Sequence, residues 1–363
     1  MNRILLLGLA PLLLAAAAPA VAQPVLSPGY KAPRLSFGAP DLGGYWTNAS
    51  LTPESRPASM ADRRVMTPQE IAAAEGEIVK EIEEGNRSVD PNKGSYAVGG
   101  QLPDKDSAFN KPQYIAAGGG VGGYDRGWLE TGDRVMRVNG EARTSIITTP
   151  NGRPPARKPT APVIRRPAIQ GGESGPVGPA DHPEQRSLGD RCIASFGRNG
   201  PPPMMANGFY NNNYQIVQSK DAVVINVEMV HDNRVIRLND KHRTDGVRPW
   251  FGDSIGWYEG DTLVVETTNI PEVQAYQGAW QQLKVTERFT RAGPNRLHYA
   301  FKVEDPQVWD TAWGGEYEFS PLNGRTAEYA CHEGNYALEG ILAGARSEER
   351  LAAQAAAGGS PRP

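Results

Sequence analysis

In the second half of the chain apolar residues recur at every second position. The runs YQIVQ (214–218), AVVINVEMV (222–230), RVIRL (234–238), SIGWY (254–258), TLVVETT (262–268), LKVTERFT (283–290), RLHYAFKV (296–303), EYEF (316–319) and TAEYAC (326–331) follow one another. Alternation of this kind puts apolar side chains on one face of a strand. Turn sequences such as HDN, YEGD, RAGPN and PLNG separate most of the runs. Successive short strands without long helical periods between them predict a mainly β fold. The expected form is an antiparallel meander barrel, lipocalin-like, or a sandwich, with a few peripheral helices. A barrel of this size often holds a cavity for one small ligand.

The first half has a different pattern. Thr67, Pro68 and Glu70 form a helix start with a capping box, and the helix is expected to run through PQEIAAAEGEIVKEIEEG to near Gly85. RVMRVNGEARTSIIT reads as a hairpin turning on Asn139-Gly140. The proline- and glycine-rich stretch 150–186 reads as a linker or draped surface segment. The expected organisation is a region 23–149 packing on the barrel, the linker, a barrel domain 187–346 with a closing helix after Gly334, and a disordered tail 347–363. The glycine-rich stretch 118–127 lacks the lysine and strand–helix context of a phosphate loop and reads as a flexible loop.

Strand alternation also sorts the polar residues. In LKVTERFT, Leu283, Val285, Glu287 and Phe289 share a face, so Glu287 is a carboxylate among apolar neighbours. Burying it costs several kcal/mol unless it is paired. In the next run Leu297, Tyr299, Phe301 and Val303 share a face, with His298 on the other. A two-residue turn at Asp232-Asn233 sets His231 opposite Arg234 and Glu228 opposite Arg237, an expected cross-strand ion pair.

Composition and charge narrow the chemistry. The formal net charge is −3, with 41 glycines and 31 prolines, and there is no basic cluster with interleaved aromatics to suggest nucleic-acid binding. The opening MNRILLLGLAPLLLAAAAPAVAQ has an early arginine, a Leu/Ala run and small residues at Ala20 and Ala22, the pattern of a signal peptide 1–22. No later stretch approaches the roughly 20 apolar residues of a membrane span. The expected location is the periplasm, with no stable membrane insertion. In an oxidising compartment the two cysteines, Cys192 and Cys331, are expected to pair. That bridge would close a loop of about 140 residues and contribute roughly 4–5 kcal/mol in the chain-entropy picture. The alternative for Cys331, in the sequence CHEG, is a thiol nucleophile beside His332 and Glu333.

The five histidines show no paired spacing such as HxH or HExxH, so no metal site is expected. No cofactor motif and no G-x-S-x-G elbow is present. The candidate catalytic set is therefore Glu287 as general acid or base and His231 as its proton partner, with Tyr299 and Arg234 orienting a substrate oxygen. Candidate ligand contacts are Asn212, Asn213, Asp253 and His332. Each has a plainer reading: Glu287 as a structural carboxylate satisfied by an arginine, His231 as an exposed turn residue, Tyr299 as core, Asn212 and Asn213 as a turn, Asp253 as a bend, and His332 as exposed.

The stretches PDLGGYWTNASLTP (40–53), TSIITTPNGRPP (144–155), YNNNYQIVQS (210–219), EMVHDNRVIRLN (228–239), GDSIGWYEGDTLVVETTNI (252–270), KVTERF (284–289) and YACHEGNYAL (329–338) together resemble a widespread family of exported bacterial proteins. The resemblance covers nearly the whole chain after residue 22. It implies one unit in place of two shuffled domains, and it implies no activity or catalytic residue. From the residues themselves the expectation is an exported, cofactor-independent acid/base enzyme (lyase, dehydratase, isomerase or hydrolase) acting on a small apolar or aromatic molecule in a barrel cavity. The rival expectations are a carrier that binds such a molecule without chemistry, and a partner in an envelope complex.

Overall fold

The computed structural model describes residues 24–60, 62–85, 130, 132–162, 180–195, 197–206, 211–333 and 335–357. The proposed signal peptide 1–22, the glycine-rich stretch 118–127, residues 163–179 of the proline-rich linker and the last six residues of the tail lie outside the described residues.

Nine strands close into a barrel. They are β1 (Gly44–Thr47), β4 (Asn213–Gln218), β5 (Ala222–Val227), β6 (Asn233–Leu238), β7 (Asp253–Glu259), β8 (Thr262–Thr268), β9 (Lys284–Gly293), β10 (Arg296–Glu304) and β11 (Trp313–Pro321). β2 (Arg137–Val138) and β3 (Glu141–Ala142) form a separate hairpin. Around the barrel the order is β1-β11-β10-β9-β8-β7-β6-β5-β4, with β4 closing on β1. Strand directions in a closed ring of antiparallel neighbours must alternate, so an odd ring needs at least one parallel step. That step is β6 beside β7, where Arg237 pairs with Ile255 and Leu238 with Gly256. The purely antiparallel meander expected from the turns is corrected at this one place.

Two assignments change. TAEYAC (326–331) is not a strand, and its place beside β11 is taken by Gly44–Thr47 from the N-terminal region. The barrel therefore draws on both halves of the chain, and it is not confined to 187–346. The tail is not disordered from residue 347, because α2 (Ala337–Ala356) extends into it as far as residue 356. The first helix, α1 (Pro68–Gly85), starts as its capping box predicts. Thr67 Oγ1 accepts from the Glu70 amide at 3.2 Å, and the Glu70 carboxylate accepts from the Thr67 amide at 2.8 Å. Asn139 and Gly140 both hold the positive φ of a tight turn between β2 and β3.

The inward faces are those that alternation predicts. Val285 and Phe289 of β9, and Leu297, Tyr299, Phe301 and Val303 of β10, are fully buried. His298 does lie on the opposite face, yet it too is buried. The outer wall of β10 and β11 is covered by the segment that follows β3. In that layer Glu316 N donates to Ile146 O at 3.0 Å, and Thr148 N donates to Gly314 O at 3.0 Å. Arg143 reaches Glu316 at 2.6 Å, and His298 stands 3.4 Å from the same carboxylate. Burial pushes the Glu316 carboxyl up, but His298 and Arg143 outweigh it and hold the group below its ordinary range.

Close approach explains the two glycines at the start of β11. A Cβ on Gly315 would sit 2.6 Å from the Phe301 ring and 2.7 Å from the Ile146 carbonyl. Gly315→Ala is therefore expected to lower stability by about 1–3 kcal/mol, the usual cost of overpacking. Urea denaturation monitored by tryptophan fluorescence measures this, and an unchanged midpoint would mean the covering layer yields freely.

Candidate functional site

Glu287, Arg234 and Tyr299 meet at the centre of the barrel. Arg234 Nη1 donates to Glu287 Oε1 at 3.0 Å, and Nη2 makes a second, shorter bond to Oε2. The guanidinium also donates to Ser254 Oγ at 3.2 Å and Thr267 Oγ1 at 2.9 Å, while Tyr299 OH donates to Glu287 Oε1 at 2.8 Å. Burial, with the Glu287 charge adding to it, holds the Tyr299 hydroxyl protonated far above the ordinary phenol range.

The convergence foreseen from strand alternation is present, but access is not. Glu287 is 0% exposed and Arg234 2%. The lumen is filled by aromatic side chains and by a chain segment, Asn199–Met205, whose residues are all buried. Met204 N donates to Tyr299 OH at 2.9 Å, and Met204 O accepts from Tyr317 OH at 2.9 Å. Two tyrosines thus satisfy the inserted backbone that a barrel lumen would otherwise strand. Glu287 fits the plainer reading, a structural carboxylate satisfied by an arginine.

The 222–238 hairpin differs from the expected register. Ile225 pairs with Arg234, and Ala222 with Arg237. The connection is not the two-residue turn Asp232-Asn233. It is a 3₁₀ turn, Met229–His231, in which Val230 and His231 hold positive φ. The shift keeps Arg234 on the face it shares with Ile225 and separates Glu228 from Arg237. Glu228 instead accepts from Asn211 at 2.6 Å and from Asn213, while Arg237 pairs with Asp253 at 2.8 Å. His231 is exposed at the turn, away from Glu287.

The proposed ligand contacts do not form one group. Asn212 is buried, donates to Glu130 O at 3.0 Å and accepts from Asn199 at 3.1 Å. Asn213 bridges Glu130 and Glu228. Asp253 accepts from Arg237, His242 and the Arg243 amide. Burial acts to raise its carboxyl, but these partners overcome that and lower it. His332 is exposed. Cys192 and Cys331 form a disulfide, which removes Cys331 as a thiol nucleophile.

An accessible site lies elsewhere, at the end of the barrel where β8 leads to β9. A cleft of about 540 Å³ opens there, lined by residues 187–189, 194–195, 197–198 and 273–277 and by Glu54. Its parts are cross-tied. Tyr276 OH donates to Glu54 Oε1 at 2.8 Å, and Tyr276 stacks on Trp313 with ring centroids 5.6 Å apart. Arg198 lies 4.4 Å from the Tyr276 ring centroid and donates to the carbonyls of Gln274 at 3.2 Å, Ala275 at 3.4 Å and Pro203 at 3.4 Å. The disulfide anchors the 187–195 wall through Cys192. Leu188, Ala194 and Val273 give it apolar surface. None of these lining residues was singled out from the sequence. They stand on irregular segments that carry no periodic signal.

Among the described residues no group of three or more His, Cys, Asp or Glu side chains gathers around a common point as metal ligands, and no helix is long and apolar enough to cross a membrane. No family model, curated protein or solved structure matches the chain.

Two expectations follow. Glu287→Ala leaves the Arg234 guanidinium buried without its counter-charge and should cost about 3–5 kcal/mol. The joint change Arg234→Met with Glu287→Leu should cost less than Glu287→Ala alone. Urea titration of the three variants decides this, and a single-variant loss under about 1 kcal/mol would mean the pair contributes nothing structural. The second concerns Asp232, whose carboxyl burial pushes up to about 6 against the pull of His231. A raised folded value favours the protonated form, so stability is fully present below about pH 4 and falls as pH rises through about 6. Asp232→Asn should match the wild type in acid and exceed it at neutral pH, measured by melting temperature across that window.

Proposed function

We propose that this protein is an exported binding protein whose ligand occupies the cleft at the β8–β9 end of the barrel. The observation that supports this most is a cleft of about 540 Å³ with cross-tied walls, beside a lumen whose charged pair, Arg234 and Glu287, is sealed from solvent and mutually bonded. A volume of this size suits a compact organic molecule. Fixed walls favour binding, because little ordering entropy remains to be lost on association. Acid–base catalysis through Glu287 has less support, since that carboxylate has no accessible surface.

Export rests on the N-terminal Leu/Ala run and on the Cys192–Cys331 disulfide, a bond that persists in oxidising compartments. On this reading the protein works in the periplasm.

Val273 is 45% exposed, so a tryptophan there can fold while obstructing the cleft. In a thermal-shift screen of small organic molecules, those that stabilise the wild type should fail to stabilise Val273→Trp. Equal stabilisation of both proteins by the same molecules would place binding elsewhere and overturn the proposal.

A further inference from the structure

Resting on the cleft as the binding site, the direction of its hydrogen bonds points to a ligand class. Three bonds in series run from the cleft into the interior. Ser195 Oγ meets Asn199 Oδ1 at 2.6 Å, Asn199 Nδ2 meets Asn212 Oδ1 at 3.1 Å, and Asn212 Nδ2 meets Glu130 O at 3.0 Å. The last group is a main-chain carbonyl, which can only accept. It fixes the Asn212 amide with its nitrogen toward Glu130, so the Asn212 oxygen accepts from Asn199 Nδ2. The Asn199 oxygen is thereby turned toward Ser195, and the serine hydroxyl has to donate to it. Asn199 and Asn212 are fully buried, so bulk water does not compete for these bonds.

Ser195 lines the cleft and is half-buried. Its one hydrogen is spent on Asn199, and one of its two lone pairs takes the Gly197 amide at 3.0 Å. What remains to Ser195 is an acceptor position. Tyr276 has likewise given its hydrogen, to Glu54 Oε1 at 2.8 Å. Burial, with the Glu54 charge adding to it, holds the Tyr276 hydroxyl protonated far above the ordinary phenol range, against the opposing charge of Arg198. The carboxylate and the guanidinium offset one another around the same ring, so a neutral ligand suits this part of the cleft.

We propose that the cleft selects a small neutral molecule bearing an N–H or O–H donor, which Ser195 Oγ receives, with an apolar body along the wall of Leu188, Ala194 and Val273. Ser195 is the specificity-determining residue. Asn199 and Asn212 are positioning residues that hold its hydroxyl in the accepting sense. A molecule that offers only an acceptor meets an oxygen with no hydrogen left to give. No bond is made or broken in the ligand.

The test uses the full chain and two pairs of probes measured by isothermal titration calorimetry at neutral pH. Benzamide and benzyl alcohol carry a donor, whereas N,N-dimethylbenzamide and benzyl methyl ether keep the acceptor and lack the donor. Each donor should bind about fivefold or more tighter than its methylated partner, the scale of one net hydrogen bond. Ser195→Ala should erase that preference, and Ser195→Thr, which keeps a hydroxyl, should retain it, so the added bulk of the methyl groups is separated from the loss of the donor. Asn199→Leu frees the serine hydrogen, and in that variant the methylated probes should gain on their partners. Equal binding within each pair, a preference that survives Ser195→Ala, or no binding of any probe at millimolar concentration would each overturn the assignment. The cleft itself is judged apart from this. Probe binding unaffected by Val273→Trp refutes the cleft as the site, whereas probes that lose binding in Val273→Trp but show no preference for the donor leave the cleft standing and refute only the role of Ser195.

Discussion

The structure turns on an ion pair placed where water cannot reach it. Moving the Arg234 guanidinium and the Glu287 carboxylate out of water costs several kcal/mol each, and only close, multiply bonded geometry offsets that cost. Arg234 meets this condition with bonds to Glu287, Ser254 and Thr267, and Glu287 with Arg234 and Tyr299. The bonding fixes β6, β7, β8, β9 and β10 in one relative register, because a slip of one residue would carry a charge to the other face. It also accounts for Tyr299, whose oxygen donates to Glu287 while accepting from the Met204 amide. The inserted segment is held by the same network that holds the strands.

The faces of β9 and β10 were legible because side chains alternate with period two regardless of context. The Asn139-Gly140 turn and the Thr67 capping box were legible because their chemistry is local. The 222–238 hairpin was misread for an equally physical reason. Asp232-Asn233 looks like a tight turn, whereas the chain takes a longer path that forces Val230 to φ 61°, a conformation its branched side chain disfavours. Tertiary packing sets that path, and no local preference announces it. The cost of the error was the expected Glu228–Arg237 pair, whereas the face of Arg234 was unaffected because the shift preserves the period of two.

The ninth strand was hidden for another reason. Gly44–Thr47 is short and lies far in sequence from its neighbours β4 and β11, so its membership is decided by closure of the ring. The inserted segment was hidden too. Its prolines and glycine carry no periodic signal and residues 201–203 are irregular, yet they sit in the interior because Tyr299 and Tyr317 satisfy the Met204 backbone beside them.

Filling the lumen moves any accessible site outward to loops, and loops ordinarily lack the rigidity a selective site needs. Here three ties of different chemistry supply it. The Cys192–Cys331 disulfide anchors one wall to a distant part of the chain. Arg198 gathers the carbonyls of both loops around a single cation. The Glu54–Tyr276 bond reaches across from the N-terminal region, so all three parts of the chain meet at the cleft. Removing any one tie would loosen a wall without disturbing the strand ladder, because none of these groups belongs to a barrel strand. The barrel acts as the fixed platform, and selectivity resides in what is cross-linked to its end.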